Sequence, residues 1–156
     1  MSDGFTHLDD MGAARMVNVG SKKITARRAV AEASVQMSDE VRARLFAGNL
    51  PKGDAVAAVR VAAIMGAKAT PALIPLAHPI GLDSVDVLVE ETGSGARIEV
   101  TCGVTARTGV EMEAMTGAAA GALTLYDMIK GLDRSAQVEE IRLLAKSGGR
   151  SGEWQR

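Results

Sequence analysis

The sequence predicts an α+β fold of the ferredoxin-like type, with the element order β-α-β-β-α-β and helices on one face of an antiparallel sheet. Three observations predict it. Apolar and polar residues alternate on both sides of the turn 92–95, which indicates a β-hairpin. Two segments, 55–68 and 110–130, have the length and composition of helices. Stretches at 25–37 and 138–145 supply a first and a last strand, and we expect the whole chain 1–156 to form one domain.

The first quarter of the chain is expected to hold an arm and two strands. Residues 1–12 are polar and unpatterned, which predicts a loose N-terminal arm. The segment 16–19, Met-Val-Asn-Val, predicts a short strand that ends at Gly20. Residues 25–37 predict a long strand because their alanines and valines fall on one side, although the alanines are equally compatible with a helix.

Two helices and an irregular connection follow. The segment 38–40, Ser-Asp-Glu, has the composition of a helix start, and Gly48-Asn49 marks the end of that helix. Asp54 is placed to cap a second helix over 55–68. Three prolines then predict an irregular apolar loop that presents His78.

The C-terminal half contains the clearest strands. Residues 85–90 and 98–104 alternate strictly, so they predict the two arms of the hairpin. The stretch 138–145 predicts the last strand, and residues 147–156 form a glycine-rich, polar C-terminal tail.

The helix predicted over 110–130 organises the rest of the chain. One face repeats at spacings of three and four, through Met115, Ala118, Ala122, Leu125 and Ile129. Its polar residues lie at the two ends, which are separated by about 20 Å at about 1.5 Å per residue. Gly117 and Gly121 each cost about 1 kcal/mol relative to alanine inside a helix, so we expect another part of the chain to pack closely against them.

Composition excludes several classes of function. Lysine and arginine number 18 against 19 aspartate and glutamate residues, so overall charge favours neither nucleic acid nor an acidic membrane. Four scattered aromatic residues are too few for a base-stacking surface. The single cysteine, Cys102, excludes an internal disulfide and a thiolate metal site, and suits a reducing cytoplasm. With neither a signal peptide nor a membrane span in the pattern, we expect a cytoplasmic protein.

Charged residues at the ends of the long helix are the first candidates for a site. Glu111 and Glu113 are two residues apart and would point about 200° apart on a regular helix, and Glu111 alone is explained by the helix dipole. Asp127 and Lys130 share a face at i, i+3. They form either a simple ion pair or, if partly buried, a proton-transfer pair in which burial lowers the lysine pKa and the carboxylate opposes that shift.

The remaining candidates are a histidine and a glycine-rich segment. His78 lies between apolar residues and prolines, and is either a structural histidine or the polar tip of a site. The segment 146–152 offers backbone N–H groups and two cations to a phosphate, or is simply a glycine-rich tail. Histidine or cysteine pairs with metal-ligand spacing do not occur in the sequence. Residue chemistry alone therefore indicates an α+β domain whose cations and carboxylates converge on a phosphorylated ligand.

Five motifs follow one another along the chain: Lys52-Gly53-Asp54, Ile74-Pro75-Leu76-Ala77-His78-Pro79, Thr108-Gly109-Val110-Glu111-Met112-Glu113-Ala114, Tyr126-Asp127-Met128-Ile129-Lys130 and Leu144-Ala145-Lys146-Ser147-Gly148-Gly149. Together they closely resemble the MoaC family, the cyclic pyranopterin monophosphate synthases of molybdenum cofactor biosynthesis. Segments 6–8 and 16–19 are also similar to the start of that family. The resemblance implies conversion of 3′,8-cyclo-7,8-dihydro-GTP to cyclic pyranopterin monophosphate with release of pyrophosphate, a phosphorus–oxygen lyase reaction.

The resemblance also implies an assembly and a set of site residues. The subunit would form a homohexamer of three dimers with each active site at a dimer interface, supplied with its small-molecule substrate by a radical-SAM enzyme. Catalysis would fall to Asp127, Lys130 and Lys52. The base and ribose would contact Leu76, Ala77, His78, Met112 and Glu113, with Glu111 beside them. The phosphates would contact Lys146, Ser147, Gly148, Gly149 and Arg27.

This chain departs from the family pattern at two positions. Asn18 stands where aspartate is usual, so an acidic role there is lost or has moved. Arg150 replaces a frequent lysine, which keeps a phosphate-binding cation. The register of Arg27 against its neighbour Arg28 is left open, as is the presence of magnesium with the triphosphate; no resident cofactor or metal is implied.

Two other functions are compatible with the residues. A non-catalytic domain that senses a nucleotide or pterin would need the phosphate contacts but no proton-transfer lysines. A metal-assisted phosphohydrolase would use His78, Glu113 and Asp127.

Overall fold

The computed structural model describes residues 7–9, 11–150 and 152–156. Its elements in chain order are β1 (Thr25–Gln36), α1 (Asp39–Phe46), α2 (Ala55–Lys68), α3 (Thr70–Leu73), β2 (Ser84–Glu91), β3 (Gly95–Ala106), α4 (Glu111–Ile129), β4 (Gln137–Ser147) and β5 (Trp154–Gln155). The strands form one antiparallel sheet in the order β2-β3-β1-β4-β5. The long helices α2 and α4 pack on one face of it. The predicted ferredoxin-like fold is confirmed.

Strand β1 lies in the middle of the sheet, between β3 and β4. Its residues Ala29, Ala31 and Ala33 are completely buried under the helices, and opposite them on β3 lie Cys102, Val100 and Ile98. This period of two shows that the alanines belong to a strand, as predicted, and that their small side chains let the helices approach the sheet closely.

On the other face of the sheet, a buried glutamate is paired with arginines from the two neighbouring strands. Glu32 on β1 is only 4% exposed. Its carboxylate lies 3.0 Å from Nη1 of Arg97 on β3 and accepts a 2.7 Å hydrogen bond from Nε of Arg142 on β4. Burial alone would raise the pKa of Glu32, but the hydrogen bonds from these two guanidinium groups outweigh burial and hold the pKa below its ordinary value.

Helix α4 lies close to both α2 and the sheet because glycines stand at the points of contact. A Cβ atom at Gly117 would lie 3.0 Å from the carbonyl oxygen of Ala63 on α2, and one at Gly121 would lie 3.2 Å from Ile98 on β3. On α2, a Cβ at Gly66 would overlap Ala120 of α4. The close packing expected at Gly117 and Gly121 is confirmed.

Three local predictions are corrected by the structure. Residues 16–19 are not a strand, because no strand in the described part of the chain pairs with them. The carbonyl oxygen of Val17 instead accepts a hydrogen bond from His78. The proline-containing loop is not wholly irregular, since Pro71 lies in the first turn of the short helix α3, where proline is tolerated. The last strand does not end at residue 145 as predicted, because β4 continues to Ser147, and the two-residue strand β5 pairs with Ala145 and Lys146.

The N-terminal arm is described only in part, since residues 1–6 and 10 lie outside the described residues. In the described part, Leu8 forms an isolated β-bridge with Ala14, and the carboxylate of Asp9 accepts backbone hydrogen bonds from Met11 and Ala13. Among the described helices, none is long and apolar enough to cross a membrane.

Substitution of Gly66 by alanine is expected to destabilise the fold. Overpacking a well-packed site costs about 1–3 kcal/mol, against about 1 kcal/mol gained in helix propensity. Because an added Cβ would overlap Ala120, we expect the upper part of that range and a net loss of up to about 2 kcal/mol. The measurement is the urea unfolding midpoint at one fixed protein concentration. Gly131→Ala is the matched control, because no heavy atom of the described residues lies within 4 Å of an added Cβ there. Equal midpoints for the two variants would contradict the packing argument.

Candidate functional site

A cavity of about 440 Å³ opens at the N-terminal end of α4. We call it the carboxylate cavity, and it brings together six residues predicted to contact the substrate: Leu76, Ala77, His78, Glu111, Met112 and Glu113. The 76–78 segment comes from the proline-rich loop after α3, and the other three residues form the first turn of α4. The remaining wall includes Val17, Lys22 and Arg150.

His78 joins this loop to the N-terminal segment. Its Nε2 atom lies 2.7 Å from the carbonyl oxygen of Val17, so Nε2 donates to that oxygen. In a neutral ring, Nδ1 is then an acceptor. His78 thus links the proline-rich loop to the N-terminal segment.

The two glutamates of the cavity differ in environment. Glu113 is only 4% exposed, and this burial, together with the negative charge of Glu111, raises the pKa of Glu113. Glu111 instead lies 3.0 Å from Nζ of Lys146 in an ion pair. Both line one cavity, although regular helix geometry separates them, because Glu111 is the first residue of α4 and folds its carboxylate back over Gly109, where a Cβ atom would overlap it.

A second cavity, of about 500 Å³, adjoins the first. It is lined by five basic residues, Lys22, Lys23, Arg27, Arg107 and Arg150, and by Thr25, Thr108, Gly109 and Gly149. Of the described residues that line this cationic cavity, none is acidic. Lys22, Thr108, Gly109 and Arg150 line both cavities, so the two form one continuous surface with a carboxylate end and a cationic end.

Lys22, Lys23 and Arg107 belong to this surface although the sequence patterns did not predict it. The adjacent lysines Lys22 and Lys23, just before β1, are the feature of the sequence that could have indicated a cationic surface. Arg107 is 80 positions from Arg27 in the chain, and the two are joined by a 3.4 Å hydrogen bond from Nη2 of Arg27 to the carbonyl oxygen of Arg107. Only the pairing of β1 with β3 brings them together.

The glycine-rich segment shapes the cationic cavity because it leaves room for residues of β1. Gly148 and Gly149 have positive φ angles of 92° and 73°, which glycine adopts without strain. A Cβ atom at Gly149 would overlap the guanidinium of Arg27. Arg27 is therefore held in the cationic cavity, whereas its neighbour Arg28 lies outside both cavities and donates to Thr101.

Lys146 and Ser147 line neither the carboxylate cavity nor the cationic cavity. They line a separate cavity of about 430 Å³ beside β5, which also includes Arg28 and Trp154. The charge of Lys146 is already paired with Glu111, so the cationic cavity is formed without it.

The three predicted catalytic residues meet at the other end of α4. Nζ of Lys52 lies 3.1 Å from Oδ2 of Asp127, and Nζ of Lys130 lies 2.7 Å from Oδ1. We call Lys52, Asp127 and Lys130 the lysine–aspartate cluster. All three side chains are about half exposed, at 45%, 57% and 52% respectively.

The environment of this cluster corrects the expectation that burial lowers the pKa of Lys130. Hydrogen bonding to Asp127 raises the pKa of Lys130, and hydrogen bonds from Lys130 and Lys52 lower the pKa of Asp127. The apolar neighbour Ile129 is buried on another side of the chain and does not cover the ammonium group. In the protomer, Lys130 is thus a proton donor and Asp127 is ionised.

The carboxylate cavity and the lysine–aspartate cluster do not meet within one protomer. Glu113 and Asp127 are 14 residues apart on the same helix, which corresponds to about 21 Å at about 1.5 Å per residue. The metal site considered above, with His78, Glu113 and Asp127 as ligands, is therefore not assembled in one chain. The described residues also contain no cluster of three or more histidine, cysteine or acidic side chains that could hold a metal ion.

Glu113→Gln is expected to stabilise the folded protein at pH 8. A carboxyl group whose pKa is raised by folding binds more protons folded than unfolded, so its ionised form opposes folding above that pKa. The advantage of the glutamine variant should shrink as pH falls through the raised pKa toward the ordinary value of about 4.3. Urea midpoints of both proteins at pH 8 and pH 5 measure this difference.

Glu40→Gln is the control, because Glu40 on α1 is an exposed carboxylate that is paired with Arg44 and should give no such gain. A Glu113→Gln variant less stable than the parent at pH 8, or an advantage unchanged at pH 5, would contradict the assignment of a buried, costly carboxylate.

Comparison with known proteins finds a matching family and close relatives of the whole chain. Residues 16–149 match the sequence model of the MoaC family. A cyclic pyranopterin monophosphate synthase from Roseiflexus castenholzii is 53% identical over 155 residues, which cover 98% of each chain. The synthase of that name from Corynebacterium glutamicum is 49% identical over 149 residues, 96% of each chain. The one from Brucella ovis is 49% identical over 156 residues, 99% of this chain and 94% of the relative.

Proposed function

The chain belongs to the MoaC family, and from that membership we propose that it catalyses the reaction that its relatives are named for, cyclic pyranopterin monophosphate synthesis. The substrate is 3′,8-cyclo-7,8-dihydro-GTP, and pyrophosphate is the second product. A cyclic monophosphate arises from a triphosphate when an intramolecular oxygen replaces pyrophosphate, so the step is a phosphorus–oxygen lyase reaction in molybdenum cofactor biosynthesis.

The observation that supports this function best is the continuous surface formed by the two cavities. A cyclised guanine nucleotide has N–H donors on its heterocycle and negative charge on its phosphates. Carboxylates are acceptors for such N–H groups, and Glu113 lies in the carboxylate cavity. Arginine and lysine bind phosphate oxygens, and five of them line the adjoining cationic cavity. The order of the cavities matches the order of groups along the substrate.

The lysine–aspartate cluster supplies the proton-transfer groups. Opening and closing rings in a purine-derived system requires several proton transfers. Lys130 starts protonated because hydrogen bonding to Asp127 raises its pKa, so its first role is that of an acid.

A second protomer is required to complete the site. Since α4 separates Glu113 from Asp127 by about 21 Å, the cluster of one subunit serves the cavities of its neighbour. The assembly is a homohexamer made of three dimers, each dimer with two shared sites. A monomeric mass at micromolar concentration, with full activity, would contradict this arrangement.

Turnover separates an enzyme from a binding module that senses a nucleotide or pterin. The direct assay supplies the cyclised dihydro-GTP and detects pyrophosphate and an oxidisable pterin. A binding module would bind the substrate and return it unchanged.

Lys52→Arg and Lys130→Arg are expected to retain binding of a triphosphate analogue but to lose turnover by about 10²-fold or more, the usual scale for a lost general acid or base. Arginine keeps the positive charge but does not lose its proton in a protein. The matched control is Lys68→Arg at the C-terminal end of α2, which should behave as the parent. Near-normal turnover of both arginine variants would mean that these lysines act only through their charge.

A further inference from the structure

The cationic cavity has an unbalanced positive charge. Five basic side chains line it without an acidic one among the described residues. Like charges gathered this closely repel one another, and that repulsion is relieved by a bound polyanion. The cavity volume of about 500 Å³ lies within the range of about 300–1,000 Å³ for small-molecule sites.

Two polar atoms in the wall of this cavity are covered. Within residues 7–9, 11–150 and 152–156, Thr25 Oγ1 and Arg27 Nε are the buried side-chain nitrogen and oxygen atoms that lack a hydrogen-bond partner. Both residues line the cationic cavity. Because these two atoms are shielded, the charge of the basic lining residues is what the cavity offers to a ligand.

The lining residues divide the cavity into two parts. Lys22 and Arg150 also line the carboxylate cavity, so they lie where the two cavities join. Lys23 and Arg107 line the cationic cavity and not the carboxylate cavity. A nucleotide whose base occupies the carboxylate cavity therefore presents its terminal phosphates, which leave as pyrophosphate, to Lys23 and Arg107.

From this division, and resting on the proposed function for its catalytic consequence, we propose that the cationic cavity binds inorganic pyrophosphate by itself, so that this product inhibits the enzyme in competition with substrate. Lys23 and Arg107 set the strength of that binding. Turnover then depends on a reaction that removes pyrophosphate, and hydrolysis of pyrophosphate to orthophosphate is the class of reaction that does so.

Calorimetric titration of the intact protein with inorganic pyrophosphate, in buffer containing EDTA, tests the binding directly. The parent should bind pyrophosphate at least about tenfold more tightly than orthophosphate, and more weakly at high salt. Lys23→Gln and Arg107→Gln should each weaken binding by about tenfold or more, the scale of one hydrogen bond to a charged group. Lys68→Gln is the control, and circular dichroism establishes that every variant is folded.

Inhibition kinetics supply the second arm. Pyrophosphate should raise the KM for the cyclised dihydro-GTP without lowering kcat, and less so in Lys23→Gln and Arg107→Gln. Equal binding of pyrophosphate and orthophosphate, unchanged binding in both variants, or non-competitive inhibition would overturn the proposal. Turnover without pyrophosphate binding would overturn this inference and leave the proposed function standing. Variant-sensitive pyrophosphate binding without turnover would support the binding site and refute the proposed function.

Discussion

Close contact between α4, α2 and the sheet is the constraint on which the rest of the structure depends. It requires glycine where the backbones approach, at Gly66 on α2 and at Gly117 and Gly121 on α4, and alanine on the facing side of β1. Interiors packed this densely leave no room for side-chain growth. Because α4 is fixed along its length, its two ends are held at a set separation, and each end presents a different set of charged groups.

The two ends of α4 differ in how far their charged groups are enclosed within a single chain. At the N-terminal end, burial already raises the pKa of Glu113, and glycine backbone already places Arg27 in the cationic cavity. At the C-terminal end, the lysine–aspartate cluster is exposed and its charges are satisfied by one another. The charged groups at the N-terminal end are thus enclosed within one chain, whereas those at the C-terminal end face solvent.

Local patterns predicted the main elements, and non-local contacts account for what was missed. The hairpin and α4 follow from periodicity in neighbouring residues, and Gly117 and Gly121 indicated close packing before any partner was known. Residues 16–19 have strand propensity but no strand beside them, and β5 is a strand only because β4 pairs with it. The family resemblance indicated Glu113 and Arg27, whereas Arg107 enters the site through strand pairing across 80 residues.

Subunit mixing tests the shared site most directly. Glu113→Ala alters the carboxylate cavity and Asp127→Ala alters the lysine–aspartate cluster, so each variant alone should be nearly inactive. If the two are dissociated, mixed in equal amounts and reassembled, half the dimers are mixed and each contains one unaltered site. Activity should then return to about a quarter of the parent value. A mixture as inactive as its components would contradict a site shared between protomers.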